Sequence, residues 1–229
     1  VYERIRAKHP DVLIQLCSSG GGRLDFGALK YHDEFWASDN TNSLDRIFIQ
    51  YSTNLFFPAK ATAAHVSTTP NHQTGMMAPL KFRFDVAMTG RLGMELQPKR
   101  MDDAEKRFAR KAVASYKAYR DIVMEGDLYR IGTPYDDTGY YGMMYVSKDK
   151  KKAVLFTYCI RYQSRTLIPK FRLHGLDAKT RYTVREQNTD KKRFWFDGGT
   201  FTGEYLANAG INPNLSKIYD SAVFVLEAQ

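Results

Sequence analysis

The residues best equipped for chemistry lie near the start of this 229-residue chain. An apolar stretch ending in Leu16-Cys17 runs into Ser18-Ser19-Gly20-Gly21-Gly22-Arg23, and Trp36-Ala37-Ser38-Asp39-Asn40 follows a second short apolar segment. Glycines let backbone approach a ligand closely because no Cβ stands in the way. A flat apolar ring beside a carboxylic acid suits carbohydrate chemistry, although glycoside hydrolysis ordinarily uses two carboxyl groups. Asp39 is the sharpest candidate for one of them, and the second has no evident counterpart.

Each candidate has a plainer reading. The run Ser38-Asp39-Asn40-Thr41-Asn42-Ser43 is rich in helix-capping residues, so Asp39 could be a cap. Asn42 or Ser43 lies closer to the helix start, however, which frees Asp39 for other work. Limited solvation beside Trp36 would favour the protonated carboxyl that a general acid needs. Of the other nearby acids, Asp25 is expected to pair with Arg23, and Asp33 has no assigned role. Cys17 reads as a small buried hydrophobe rather than a nucleophile, since no histidine has a convincing partner context; a wall position fits too. The three glycines lack the Gly-Lys-Ser/Thr or Gly-x-Gly-x-x-Gly pattern of a phosphate cradle and could form a tight turn. Their place at the carboxyl end of a parallel strand favours a ligand-facing role, because α/β barrels build sites on that face. His65 and His72 stand seven residues apart with no acid between them, which suits loop hydrogen bonding better than metal. Neither a metal nor a cofactor is implied.

The elements that must position these groups alternate in the first half. Val12 to Cys17 is nearly continuously apolar, as in a buried parallel strand. Thr41 to Phe57 reads as a helix with Leu44, Ile47, Phe48, Tyr51 and Leu55 on one face and Pro58 as its stop. Ala63 to Ser67 and Arg91 to Leu96 are short strands. Between them Pro79 opens a helix, although Phe82, Phe84 and Val86 also fit a period of two. Asp102 to Met124 is the strongest helix, capped by Asp102 or Asp103, apolar at Phe108, Ala112, Tyr116, Tyr119 and Val123, and ended by Gly126. Four strands separated by helical segments imply a parallel sheet.

After a boundary near Glu125 to Tyr129 the pattern changes. Gly142–Val146, Ala153–Arg161, Ile168–Leu173, Arg181–Arg185, Arg193–Phe196 and Ala222–Glu227 are short, aromatic and β-branched, with turn signals between them. Such spacing argues for an antiparallel sandwich.

Composition narrows the partners. With 43% hydrophobic and 14% aromatic residues the chain is globular in character, and no apolar run is long enough to cross a bilayer, so no membrane partner is expected. The net charge of +9 concentrates only at Lys148 to Lys152 and Lys191 to Arg193, which flank turns, so nucleic acid is not expected either. Cys17 and Cys159 make no disulfide framework. Val1-Tyr2-Glu3-Arg4 reads as the middle of a helix rather than a natural N-terminus, and the compartment stays open.

Four ordered motifs carry a family resemblance: Cys17-Ser18-Ser19-Gly20-Gly21-Gly22-Arg23, Trp36-Ala37-Ser38-Asp39-Asn40-Thr41, Pro70-Asn71-His72-Gln73-Thr74 and Gly90-Arg91-Leu92-Gly93-Met94-Glu95-Leu96. Together they resemble family-36 glycoside hydrolases, retaining α-galactosidases, over essentially the whole chain. The resemblance implies an α/β plus all-β fold: strands five to eight of a (β/α)8 TIM barrel over residues 1–126, then a C-terminal antiparallel β-sandwich over residues 127–229. It implies that Asp39 is the general acid/base at the end of the sixth strand. It further implies that Trp36 lines the galactose pocket and that Cys17 and Gly20 touch the sugar at the end of the fifth. Ser18, Arg23 and His72 are further candidates for loop contacts. The family's nucleophile is an aspartate in a Lys-Trp-Asp type motif, and that motif is absent here.

The chain is thus expected to be part of an enzyme that releases terminal α-galactose from α-galactoside oligosaccharides with retention, inactive by itself. A half-barrel leaves open edges and bare apolar faces. Its expected partners are the missing N-terminal half of the same enzyme and further copies in a homo-oligomer. Two alternatives remain: a non-catalytic carbohydrate-binding or assembly module, and galactosyl transfer, or preference for an N-acetylated galactoside, within the same family.

Overall fold

Alternating apolar strands and amphipathic helices give a parallel sheet in the first half of a computed structural model, which describes residues 1–162 and 167–229. In chain order the elements are α1 (Tyr2–Lys8), β1 (Gln15–Leu16), α2 (Phe26–Leu29), β2 (Glu34–Trp36), α3 (Ser43–Thr53), β3 (Thr62–Ser67), α4 (Leu80–Ala87), β4 (Arg91–Glu95) and α5 (Asp103–Glu125). The four strands lie in sequential order β1-β2-β3-β4, all parallel, which is half of a (β/α)8 barrel left open at both edges. There follow β5 (Asp127–Ile131), β6 (Tyr140–Val146), β7 (Lys152–Cys159), β8 (Arg181–Gln187), β9 (Thr200–Thr202), α6 (Gly203–Asn208) and β10 (Asp220–Ala228). They form one antiparallel sheet in the order β5-β6-β7-β10-β8-β9.

Several local signals act as the sequence suggests. Asn42 caps α3, its Oδ1 accepting from the backbone N–H groups of Leu44 and Asp45. Asp102 and Glu105 form a reciprocal capping box at the start of α5. The basic turns are paired with acids, Lys148 with Asp127 and Arg193 with Glu186 and Asp220.

Other elements differ from expectation for identifiable reasons. The strand expected over Val12 to Cys17 shrinks to Gln15–Leu16, and Val12 and Leu13 are exposed. An edge strand has a partner on one side only, so an apolar run does not by itself secure burial. Helix α3 ends at Thr53, short of Phe57, whose ring instead packs against Phe35 and Phe26. The segment Ile168–Leu173 contributes a single bridge, Phe171 to Ile211, and Arg193–Phe196 forms a turn rather than a strand. Phe171, Leu173, Phe196, Leu206 and Ile211 are nonetheless buried with Tyr140, Leu155 and Phe224, so irregular segments and α6 make the second layer over that face of the sheet. The other face packs on α5 and α4: Tyr119 meets Phe156, and Phe82 meets Tyr158.

Helix α4 explains why two periodicities competed in its sequence. Phe82, Phe84, Val86 and Ala87 are all buried, because α4 lies between β3, α5 and the antiparallel sheet and has little solvent face. A helix apolar on most sides hides its period. Its one fully buried acid, Asp85, accepts from Lys81 Nζ at 2.5 Å, Ser221 Oγ at 2.7 Å and Asn188 Nδ2 at 2.7 Å. The Tyr158 hydroxyl donates to the Asp85 carbonyl, and the Tyr145 hydroxyl to that of Thr89. Residues from β6, β7, β10 and the end of β8 thereby converge on α4 and the turn that follows it.

Asp85→Ala should lower stability by about 3 kcal/mol or more, because the buried Asn188 and Ser221 and the partly buried Lys81 all lose their acceptor. Ser221→Ala, which removes one neutral donor, should cost about 1 kcal/mol. Urea denaturation midpoints at unchanged slope measure both, and equal losses would show that Asp85 is not the hub of this cluster.

Candidate functional site

The site lies at the carboxyl ends of β1 and β2, where the chain makes two unusually close backbone approaches. After β1, Ser19 and Gly20 adopt left-handed conformations (φ 47° and 68°), and the turn closes through Ser18 N–H to Gly20 O and Gly22 N–H to Ser18 O. That turn rests directly on the segment leaving β2. A Cβ at Gly20 would lie 2.7 Å from Asp39 N and 2.8 Å from Ser38 Cα, and one at Gly21 would strike Ala37 O. The glycines are needed for this apposition of two loops as well as for the turn, and it brings Cys17, Gly20 and Asp39 to the ends of neighbouring strands.

A polar scaffold fixes the backbone around Asp39. Ser38 Oγ accepts from Asn40 N–H, and Asn40 Nδ2 donates to Asp45. From the loop after β3, Gln73 Oε1 accepts from Thr41 N–H, Thr74 Oγ1 accepts from Asn42 Nδ2, and Asn71 Nδ2 donates to Thr41 Oγ1. Asn71 Oδ1 in turn gathers the N–H groups of Gln73 and Thr74. The Pro70-Asn71-His72-Gln73-Thr74 motif is thus a buttress for Thr41 and Asn42. His72 itself is exposed on this loop.

Trp36 is held by two side chains that the sequence reading did not assign to it. The His65 ring stacks on it with centroids 4.3 Å apart, and the Arg46 guanidinium lies 4.4 Å from its ring. With those partners Trp36 is only 8% exposed, so it does not present the open flat wall expected from sequence. Gly93 on β4 belongs to the same arrangement, since a Cβ there would fall 2.7 Å from His65 Nε2. Burial pushes the His65 pKa down, and the nearby Arg46 charge acts in the same direction against Glu95 and Glu34. Arg46 is 2% exposed, and burial lowers its pKa to about 10. It donates to Ser38 O, Ala63 O and Gln50 Oε1.

Further expectations need correction. Asp39 is exposed, not poorly solvated: β1 is the sheet edge, and nothing in these residues closes the shelf beyond it. Cys17 is likewise exposed rather than a buried hydrophobe. Asp25 does not pair with Arg23; its Oδ1 caps α2 by accepting from Ala28 N–H at 2.7 Å, and Arg23 projects into solvent. Asp33 binds Arg6 at 2.6 Å and the Ile14 N–H, which keeps its carboxyl below the usual range despite the opposing desolvation. Among the described residues no group of three or more His, Cys, Asp or Glu side chains could hold a metal ion.

The buried stripe of α3 carried a legible signal. Ser43, Arg46, Ile47 and Gln50 follow i, i+3, i+4, i+7 spacing and are its buried residues. Their mostly polar character concealed it, and the apolar residues Leu44, Phe48 and Tyr51 lie partly exposed beside them.

A glycine turn set against an aspartate at the carboxyl ends of parallel strands is where barrel enzymes build their sites, and sequence comparison supplies the family. The Melibiase family model matches residues 1–126, and the glycosyl hydrolase family 36 C-terminal domain matches residues 140–226. The chain belongs to this family. It is 38% identical over 230 residues to alpha-galactosidase C of Emericella nidulans, covering 100% of this chain and 29% of that protein. The crystal structure of alpha-galactosidase AgaB from Geobacillus stearothermophilus superposes with a TM-score of 0.91 at 34% identity, covering 100% of this chain and 30% of that one. A variant of AgaA from the same organism, solved in complex with raffinose, gives the same TM-score, identity and coverage. The chain therefore spans under a third of the length of these relatives.

Gly20→Ala and Gly75→Ala form a matched pair, since both glycines have φ 68° but Gly75 has open space around it. Both should lose about 1–2 kcal/mol from left-handed strain. Gly20→Ala should lose more, because the added methyl collides with the Asp39 backbone. Thermal unfolding distinguishes them, and equal losses would mean that the loops yield freely.

The lowered His65 pKa also predicts a pH effect. The folded form binds fewer protons than the unfolded one, so this contribution to stability is complete above the ordinary histidine value of 6.5. It is lost as pH falls from there through the folded-state pKa. His65→Phe should flatten the acid side of a melting-temperature profile, and an unchanged slope would reject the linkage.

Proposed function

We propose that this chain is part of a retaining α-galactosidase, with Asp39 as its general acid/base. The observation that carries this reading is the seating of the Gly20 turn on the Ser38–Asp39 backbone at the carboxyl ends of two adjacent parallel strands. It gives a sugar-facing shelf with an exposed carboxylate at its rim, on the face where barrel enzymes work. Membership of the family and the names of the relatives support the substrate class. On this reading residues 1–126 are barrel strands five to eight with their helices, and residues 127–229 are a C-terminal β-domain. Cys17 and Gly20 would contact the sugar, with Ser18, Arg23 and His72 in reach of the rim. Trp36 would contribute the edge left free by His65 and Arg46.

The chemistry follows from a carboxyl that changes protonation state. Protonated Asp39 donates its proton to the glycosidic oxygen as the bond to the anomeric carbon breaks and a second carboxylate forms an ester with that carbon. The resulting Asp39 carboxylate then takes a proton from water, whose oxygen displaces the ester and restores the starting configuration. No Lys-Trp-Asp motif for the second carboxylate occurs in these 229 residues, so it would come from another part of the enzyme. The preceding part of the barrel would cover the open edge at β1, and α-galactoside oligosaccharides would bind in the completed pocket. Further copies in a homo-oligomer would cover other exposed surface.

The isolated 229-residue chain should not turn over a chromogenic α-galactoside. Robust turnover by purified chain, abolished by Asp39→Asn, would place a second carboxylate within it.

In the full-length enzyme, Asp39→Ala should reduce hydrolysis of a substrate with a poor leaving group by about 100-fold or more, and that of a nitrophenyl galactoside far less. External azide should partly restore the second step. A helix-capping role would instead lower stability by about 1 kcal/mol and affect both substrates alike. Equal losses without azide rescue would remove Asp39 from the acid/base role.

A further inference from the structure

Arg46 is a buried cation without a carboxylate. It is 2% exposed, and no ion pair among the described residues includes it. The neighbouring acid Asp45 is taken by Asn40. Its three nitrogens are instead spent on Gln50 Oε1 at 3.3 Å, Ser38 O at 3.0 Å and Ala63 O at 3.0 Å. The two carbonyls lie where β2 and β3 separate, since Trp36 with Ala63 is their last paired position. The guanidinium spans that fork while its carbon sits 4.4 Å from the Trp36 ring. Gln50 is itself fixed, donating to Val86 O and Thr89 Oγ1.

The geometry has a consequence for Asp39. The Ser38 carbonyl and the Asp39 N–H are the two ends of one peptide plane. Arg46 holds the carbonyl, and the Gly20 turn packs against the nitrogen. Asp39 is exposed and no hydrogen bond to its side chain occurs among the described residues, so its placement depends on its backbone. We propose that Arg46 is a positioning residue for acid/base chemistry: one buried guanidinium fixes both the peptide that carries Asp39 and the ring of Trp36 beside it. The proposal rests on the reading of Asp39 as the acid/base. It requires arginine, because a lysine ammonium can satisfy a carbonyl but has no plane to lay on the indole or to bridge the fork. A displacement of about 1 Å at a proton-transferring group is enough to cost about 100-fold in rate.

The test uses the full-length enzyme with Arg46→Lys and Arg46→Met, assayed on raffinose and on 4-nitrophenyl α-galactoside. We expect kcat on raffinose to fall about 100-fold and kcat on the nitrophenyl substrate about tenfold, with azide narrowing the second loss. A merely structural role would lower the melting temperature and both rates by one factor. Folded Arg46→Lys with an unchanged ratio between substrates overturns the proposal. If neither Arg46 variant folds, Gln50→Leu frees the guanidinium from its anchor and should shift the same ratio; a folded Gln50→Leu with an unchanged ratio also overturns it. Asp39→Ala, run alongside, separates the two ideas. If it fails to distinguish the substrates, the Asp39 reading falls; if it distinguishes them and the Arg46 variants do not, Arg46 falls alone.

Discussion

The carboxylate of Asp85 is the constraint on which the arrangement of the two sheets depends. It is fully buried on a helix with little solvent face, so it is stable only if protein donors replace water. Those donors come from α4 itself, from β10 and from the end of β8, which ties the antiparallel sheet to α4 in one orientation. The same helix carries Arg83, also buried, which donates to Ser67 O and Ala78 O on either side of the loop after β3. That loop holds Asn71, Gln73 and Thr74 against Thr41 and Asn42. Contacts therefore run without a break from the antiparallel sheet to the backbone beside Asp39.

At the site, positioning is achieved mostly through backbone. Glycine on one strand end and a peptide plane on the next meet at distances that no side chain could tolerate. The side chains that act on this backbone, Arg46, Asn42 and Asn71, are buried, whereas Asp39 and Cys17 are exposed. Division of labour of this kind keeps the proposed acid/base accessible while rigid elements set where it can be. It also leaves a shelf rather than an enclosed pocket, because β1 has no neighbour on its outer side. The solvation that governs an acid/base carboxyl would be set by whatever completes the barrel.

Much of this was legible in the sequence. Strand–helix alternation gives the parallel order of β1 to β4, and the capping residues Asn42 and Asp102 mark their helices. Four motifs identify the family and single out Asp39, because turn glycines and an aspartate at strand ends are local features. Where local pattern was ambiguous or misleading, the element's place in the fold was the reason. Phe82, Phe84 and Val86 also fit a strand period, although a helix is expected there, because α4 is enclosed on most sides, and Val12 and Leu13 read as core although they lie at an open edge.

Tertiary structure alone decided what surrounds each candidate. Asp25 is the exception, since it caps the α2 N-terminus through a residue three positions along the chain instead of pairing with Arg23. Trp36 was enclosed by His65 and Arg46, which are 29 and 10 residues distant in the chain and are brought together only when β2, β3 and α3 pack. Arg46 and Gln50 shared a helical stripe that composition disguised as solvent-facing. The order of elements and the candidate acid/base are legible in the sequence because they depend on neighbours along the chain; the burial of a charge and the partner of a ring depend on neighbours across it.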